Sequence, residues 1–198
     1  MPDDAKPLKL CVLYGSVRVD RVGIRVARFV TQFLADRGND VTLIDPAEYR
    51  LPLLEKMYKS YDEGEAPEPL PTLKRIYDAC DGYVMVTGEW NHTIPPALTN
   101  LLDHFLEEYF HRPASIVSYS ASSFGGVRGA VAMRPMLAEL GMVSLPTMVP
   151  VPKVGEAFEE DATPKDREAW EKRFSTMAEE LEWYGRLLRD GRRSGTPG

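Results

Sequence analysis

The chain has 198 residues and a formal net charge of −6, from 24 Lys and Arg against 30 Asp and Glu. That length suits one compact domain over 1–198, and the acidic balance excludes a nucleic-acid binder, which needs a basic face. The apolar runs fall far short of the roughly 20 residues that span a bilayer. The opening "MPDDAKPLKL" lacks the basic-then-apolar pattern of a secretory leader, so the expected setting is cytoplasmic, with no membrane partner.

The first element is "LKLCVLY" (8–14), a continuous apolar run of the kind seen in strands buried on both faces. "GSVRVDRVGIRVA" (15–27) follows, and from near Gly23 a helical spacing sets in at Ile24, Ala27, Val30, Phe33 and Leu34, closed by Gly38. "VTLID" (41–45) is the second strand. The proline-rich, acidic segment 46–71 then reads as a long exposed loop, a length used for lids or disordered stretches. A weaker helix, "PTLKRIYDAC", leads into the third strand, "YVMVT" (83–87). Beyond "GEWNHTIPP" (88–96), Leu98, Leu101, Leu102, Phe105, Leu106 and Tyr109 keep helical spacing.

"ASIVSYS" (114–120) is the fourth strand. Val131, Met133, Leu137 and Leu140 mark a helix stopped by Gly141, and "MVSLPTMVPV" (142–151) is the fifth strand. A last helix from about Lys165 to Leu188 carries Trp170, Phe174, Met177, Leu181, Tyr184 and Leu188 at spacings of four and three. Covering the sheet edge is a plainer use for it than a coiled-coil seam. The tail "RDGRRSGTPG" is polar and glycine-rich, and 190–198 are expected to be flexible. Strand alternating with helix means right-handed crossovers and a parallel sheet covered on both faces. Cys11 and Cys80 lie beside apolar runs and read as buried small hydrophobes, and neither has neighbours spaced to ligate a metal.

Ligands of such sheets sit outside the carboxyl ends of the strands, where the strand order reverses. Three loops there have unusual composition. In the first, Gly15, Ser16, Arg18, Arg21 and Arg25 precede or open a helix. Backbone N–H groups, a hydroxyl and guanidiniums make an anion site, or alternatively a helix start with solvated arginines. The loop is neither a Walker sequence nor a dinucleotide fingerprint. The fourth-strand loop, 118–130, offers small hydroxyl residues and paired glycines that leave room for a flat ligand, and an ordinary turn would read the same way. The third-strand loop sets Glu89, Trp90, Asn91 and His92 before prolines at a helix start, a rigid arrangement.

Together these loops resemble the NAD(P)H-dependent FMN reductase family, flavodoxin-like flavoproteins that include azoreductase-like and chromate or quinone reductase-like members. The family's Gly-Ser-x-Arg loop is matched by Gly15, Ser16 and Arg18. Its Pro-Glu-Tyr-Asn loop is matched by Gly88, Glu89, Trp90 and Asn91, followed by "HTIPPALTNLLDHF" with Ile94, Pro95, Ala97, Leu98, Asn100 and Asp103 in register. Its glycine-rich fourth loop is matched by "SFGGVRGAVAMRPML", and the similarity covers about residues 8 to 150. The chain departs from the pattern at Gly88 (for Pro), Trp90 (for Tyr) and His92 (for Gly). Arg21 and Gly23 stand where many members carry Ser and Asn, although a Gly-Ser-x-Arg-x-x-Arg-x-Gly version also resembles the family.

The resemblance implies an α/β/α sandwich with a five-stranded parallel sheet in the order 2-1-3-4-5. It implies bound FMN reduced by NADPH or NADH, a small-molecule acceptor, ping-pong kinetics without a dedicated catalytic acid, and a homodimer or tetramer. Phe105, Tyr109 and Phe110 are then candidates for contact between copies. By the same resemblance Ser16, Arg18 and Arg21, with backbone around Gly23 and Ile24, would hold the flavin phosphate. Glu89, Trp90, Asn91 and His92 would line the ring edge, with Trp90 and His92 shaping substrate choice. Ser120, Ala121, Ser123, Phe124, Gly125 and Gly126 would close the other side. A non-enzymatic flavodoxin-like electron carrier is the alternative. A phospho-acceptor signalling domain would need acidic residues where this chain has "YGSVR".

Overall fold

The computed structural model describes residues 6–197. The first five residues, on which the leader reading partly rests, and residue 198 of the tail lie outside them. Five parallel strands run in the order β2-β1-β3-β4-β5: β1 (Lys9–Tyr14), β2 (Asp40–Ile44), β3 (Gly82–Thr87), β4 (Pro113–Tyr119) and β5 (Val143–Val151). The order reverses between β1 and β3, where the register runs from Leu10 opposite Gly82 to Tyr14 opposite Val86. This is the flavodoxin-like arrangement that the resemblance implied.

Strand alternation sends side chains to two cores. Leu10, Val12 and Tyr14 join the face covered by α1 (Ile24–Asp36) and α6 (Arg167–Ser194), where Val26, Val30, Phe174, Met177 and Leu181 are buried. Cys11 and Leu13 join the face covered by α2 (Leu70–Ala79), α3 (Pro96–Asp103) and α4 (Val127–Glu139). Both cysteines are buried free thiols, as expected. The short α5 (Val154–Ala157) follows β5 and packs Val154 on the first face.

Three expectations change. The third helix stops at Asp103, and a single 3-10 turn, Glu107–Tyr109, follows it. Phe105 and Tyr109 are buried in the second core, packed edge-on against Tyr77 and Tyr83, so they are not available to a second copy. Their helical spacing reflected core packing alone. The tail does not fray at Leu188, because α6 runs on to Ser194. Arg189 is buried and donates to the carbonyls of Lys6 and Pro7. Arg192 bonds the carbonyl of His111 and the carboxylate of Asp81 at 3.0 Å. Long arginine stems cover apolar surface while their heads find acceptors, which a polarity reading of the tail misses.

Segment 46–71 holds a 3-10 turn at Tyr58–Ser60 and the first residues of α2, and it is fastened to the domain. Tyr49, Leu51, Tyr58 and Tyr61 pack on the second core, and the Asn100 amide on α3 bonds Pro52 O and Leu54 N at 2.8 and 2.9 Å. On the other side, Arg37 at the end of α1 makes two bonds of 2.8 Å to Glu182 on α6, and Asn39 adds a third. Burial raises the Glu182 carboxyl's proton affinity, but these hydrogen bonds outweigh it and leave the pKa lowered.

Glu182→Gln is therefore expected to destabilise the fold by about 2 kcal/mol in urea denaturation at neutral pH. A lowered folded-state pKa gives stability that is complete above the ordinary carboxylate range. It is lost as pH falls through that range and below it, so the gap between wild type and variant should close on acidification. A gap independent of pH would contradict this assignment.

Candidate flavin site

The three loops meet at the carboxyl edge of the sheet around the reversal. Beyond β1, Gly15 N donates to Val86 O at 3.0 Å, carrying the pairing one residue past the strand. A Cβ on Gly15 would lie 3.1 Å from the Leu98 side chain, so the loop rests directly on α3. Ser16 is buried, and its Oγ accepts from Arg18 N at 3.3 Å. Arg18 projects outward with Asp20 as its partner at 3.3 Å. Arg21 is held instead: its guanidinium pairs with the buried carboxylate of Asp45 at the end of β2, donates to Ser16 O, and lies over the Tyr14 ring. The hydrogen bond to Asp45 raises the Arg21 pKa further, so its charge is fixed. Gly23 is the N-cap of α1, and no side chain caps that helix.

The third-strand loop is a two-residue reversal. Trp90 and Thr93 exchange backbone hydrogen bonds of 3.1 and 2.9 Å, with Asn91 at φ 50° and His92 at φ 64°. Positive φ at both central positions is the primed hairpin turn, which Asn tolerates and Gly favours. The cost at His92 follows from standing where the family pattern has glycine. Pro95 then caps α3 and Pro96 opens it, fixing the turn against the helix.

Glu89 does not offer its carboxylate to the cleft. Oε2 accepts from Arg128 N and Gly129 N at 3.1 and 3.4 Å in the first turn of α4, and Oε1 faces the Arg128 guanidinium at 3.5 Å. An anion at a helix N-terminus is stabilised by unpaired N–H groups and the helix dipole. Glu89 thus ties the third-strand loop to the fourth, where Gly126 is the N-cap of α4 in the left-handed conformation at φ 72°.

Between these loops lies a cleft of about 350 Å³. It is lined by eight of the residues singled out in the sequence: Ser16, Arg18, Arg21 and Gly23 at one end, and Glu89, Trp90, Ser120 and Ala121 at the other. Gly15 and Ile24 adjoin lining residues in the chain and do not themselves line the cleft. Asn91 and His92 form the exposed hairpin tip, with His92 Nε2 3.9 Å from Glu89 Oε1. Phe124 stands exposed on the rim with the Arg128 guanidinium 4.7 Å from its ring centre. Ser123 is exposed, and Gly125 and Gly126 turn the loop against β5 and Tyr119 rather than facing the cleft. Asp20, Val22, Gly88, Tyr119 and Val154 also line it. Sequence reasoning passed over Tyr119, because a tyrosine ending an apolar strand reads as core.

A five-stranded parallel sheet in the order 2-1-3-4-5, covered by helices on both faces and with a cleft at its point of reversal, defines the flavodoxin-like fold class. A profile described as NADPH-dependent FMN reductase matches residues 8–156, and the chain belongs to that family of oxidoreductases, whose cofactor is FMN and whose electron donor is NAD(P)H. The NAD(P)H-dependent FMN reductase LOT6 of Saccharomyces cerevisiae is 32% identical over 57% of this chain and 65% of its own length, so the alignment spans just under two thirds of that relative. An NADPH azoreductase of a Bacillus species is 29% identical over 72% of this chain and 75% of its own. Among solved structures, the FerB NAD(P)H:(acceptor) oxidoreductase of Paracoccus denitrificans superposes with a TM-score of 0.73 at 20% identity, covering 89% of this chain and 97% of that one.

The residues present fit the cofactor. The cleft combines an uncapped helix N-terminus, a buried serine and two arginines, which suit an anion, with a partly exposed indole beside a glycine, which suits a ring. Glu89→Ala is expected to lower the stability of the flavin-free protein by about 1–2 kcal/mol, as loss of a helix cap does. An unchanged melting temperature would show that the carboxylate serves the ligand rather than α4.

Proposed function

We propose that this chain passes electrons from NAD(P)H through FMN held in the cleft to a small oxidised acceptor: a quinone, azo compound, free flavin or metal oxyanion. The observation that carries this reading is the polarity of a single cleft, anion-binding at the start of α1 and aromatic and open at Trp90. The relatives' names point the same way, since they include an azoreductase of a Bacillus species and a quinone reductase of Pseudomonas putida. FMN, when bound, supplies the hydride chemistry, and the protein supplies position.

Each side chain then has a limited task. Ser16 and Arg18 bind the phosphate, with charge-assisted bonds from the guanidinium supplying much of the strength. Arg21 is a positioning residue: anchored by Asp45, it orients the loop through Ser16 O and adds fixed positive charge. Trp90 presents stacking surface, and the loop from Ser120 to Gly126 shuts water from the opposite side. The acids near the cleft are already engaged, Glu89 by α4, Asp45 by Arg21 and Asp20 by Arg18. No proton donor from the protein is therefore assigned to the transfer. One cleft serving two substrates in turn accounts for a ping-pong order. A cytoplasmic setting and a homo-oligomer belong to the same reading, and light scattering of the purified protein tests the latter.

Steady-state assays with NADPH and NADH across an acceptor panel are expected to give parallel double-reciprocal lines, and intersecting lines would contradict alternating use of one cleft. Protein that purifies colourless and fails to bind FMN would end the reading altogether. Arg18→Ala is expected to weaken FMN binding by roughly 1.5–3 kcal/mol, the worth of a hydrogen bond to a charged group. Unchanged affinity would remove Arg18 from the site. Trp90→Ala should alter turnover and flavin fluorescence while leaving the flavin-free melting temperature in place, and a large loss of that temperature would assign the indole to packing.

A further inference from the structure

Tyr119, the last residue of β4, crosses the floor of the cleft to the N-terminus of α1. A Cβ built on Gly23 would lie 2.1 to 2.6 Å from three carbons of its ring, and one built on Gly88 would lie 3.3 Å from the same ring. The phenol therefore occupies a slot cut by two glycines from two different loops. Of these two, Gly88 is a position where the chain departs from its family's pattern, with glycine in place of proline. Any side chain at 23 would have to share its space with the ring.

The hydroxyl at the end of that slot is placed among other polar groups. Tyr119 OH donates to Tyr14 OH at 3.3 Å, and Tyr14 OH donates in turn to Arg21 O at 3.5 Å. The two rings stack with centroids 6.2 Å apart. Ser16 and Arg21 both act on the two phenols, favouring their charged forms against burial. Ser16, Arg21, the uncapped start of α1 at Gly23 and Tyr119 thus line one cleft, with the Tyr14 hydroxyl bonded to that of Tyr119. Burial, first of all, pushes both phenols' pKa values up, so both remain proton donors across the physiological range.

We propose that Tyr119 is a phosphate-site residue of this chain, standing in the slot of Gly23 and Gly88 in place of a side chain at position 23 and contributing its hydroxyl to recognition of a phosphate monoester. The inference rests on the flavin reading above and names a residue that the loop pattern does not. It also explains why α1 starts without a capping side chain: the polar group at that helix end comes from β4. Tyr14 is the positioning residue, holding the Tyr119 hydroxyl between Ser16 and Arg21.

The test is fluorescence titration of flavin-free protein with FMN and, separately, with riboflavin, which lacks the phosphate. Tyr119→Phe keeps the ring in its slot and removes only the hydroxyl. It is expected to lower FMN affinity about ten-fold, as loss of one hydrogen bond to a charged group does. Riboflavin affinity and the flavin-free melting temperature should stay at wild-type values. Gly23→Ala, which displaces the ring, should erase the same preference for FMN over riboflavin. If Gly23→Ala fails to fold, the Tyr119→Phe titration decides alone. An unchanged FMN-to-riboflavin ratio in Tyr119→Phe, or equal loss of both ligands, would overturn the inference while leaving the flavin reading intact. Wild-type protein that binds neither flavin would overturn both.

Discussion

The hydrogen bond from Gly15 N to Val86 O fixes the ligand end of the molecule. It extends the β1–β3 pairing past the end of β1, at the one place in the sheet where consecutive crossovers go to opposite sides. Because Gly15 sits within 3.1 Å of Leu98 when given a Cβ, the first loop cannot lift off α3. Ser16 and the start of α1 are therefore held on one side of the reversal, and Gly88 to Trp90 on the other. The cleft is the space left between them. Glu89 then locks the second wall to the third by capping α4 with its side-chain carboxylate, so the loops are tied together by the protein's own contacts.

That construction assigns charge by position. Arg21 is drawn inward by Asp45 and fixes the loop, while Arg18, three residues earlier, stays largely in solvent. A guanidinium paired with a buried carboxylate resists displacement far more than an exposed one does. In the proposed function Arg18 is the cation that closes on the phosphate, and Arg21 supplies background potential. Trp90 and Phe124 are among the large apolar side chains left exposed, and Trp90 lines the cleft. In the proposed function the indole is the aromatic surface that a planar substrate meets.

Much of this was legible in the sequence because its signals are local. Continuous apolar runs gave five strands, and glycines at 38 and 141, both at positive φ in the structure, stopped the helices that precede β2 and β5. Eight of the residues drawn from three separate loops line one cleft, since strand ends of a parallel sheet must lie side by side. Long-range information was not legible. Phe105 and Tyr109 continue a helical spacing but serve a core built from α2 and β3, and only the end of α3 reveals that. Arg189 and Arg192 read as solvated tail until Asp81 and the carbonyls of Lys6, Pro7 and His111 are in place around them. Tyr119 and Gly23 lie 96 positions apart in the sequence, and each was ordinary alone. Only their contact shows that one makes room for the other.

A crystal structure of the protein grown with FMN tests the central claim most directly. The expected result is phosphate density at the N-terminus of α1, within hydrogen-bond distance of Ser16 Oγ, with the ring system running toward Trp90. Phosphate density elsewhere, for example in the apolar hollow between Tyr49, Leu51 and Ala97 on the other side of the first loop, would contradict it.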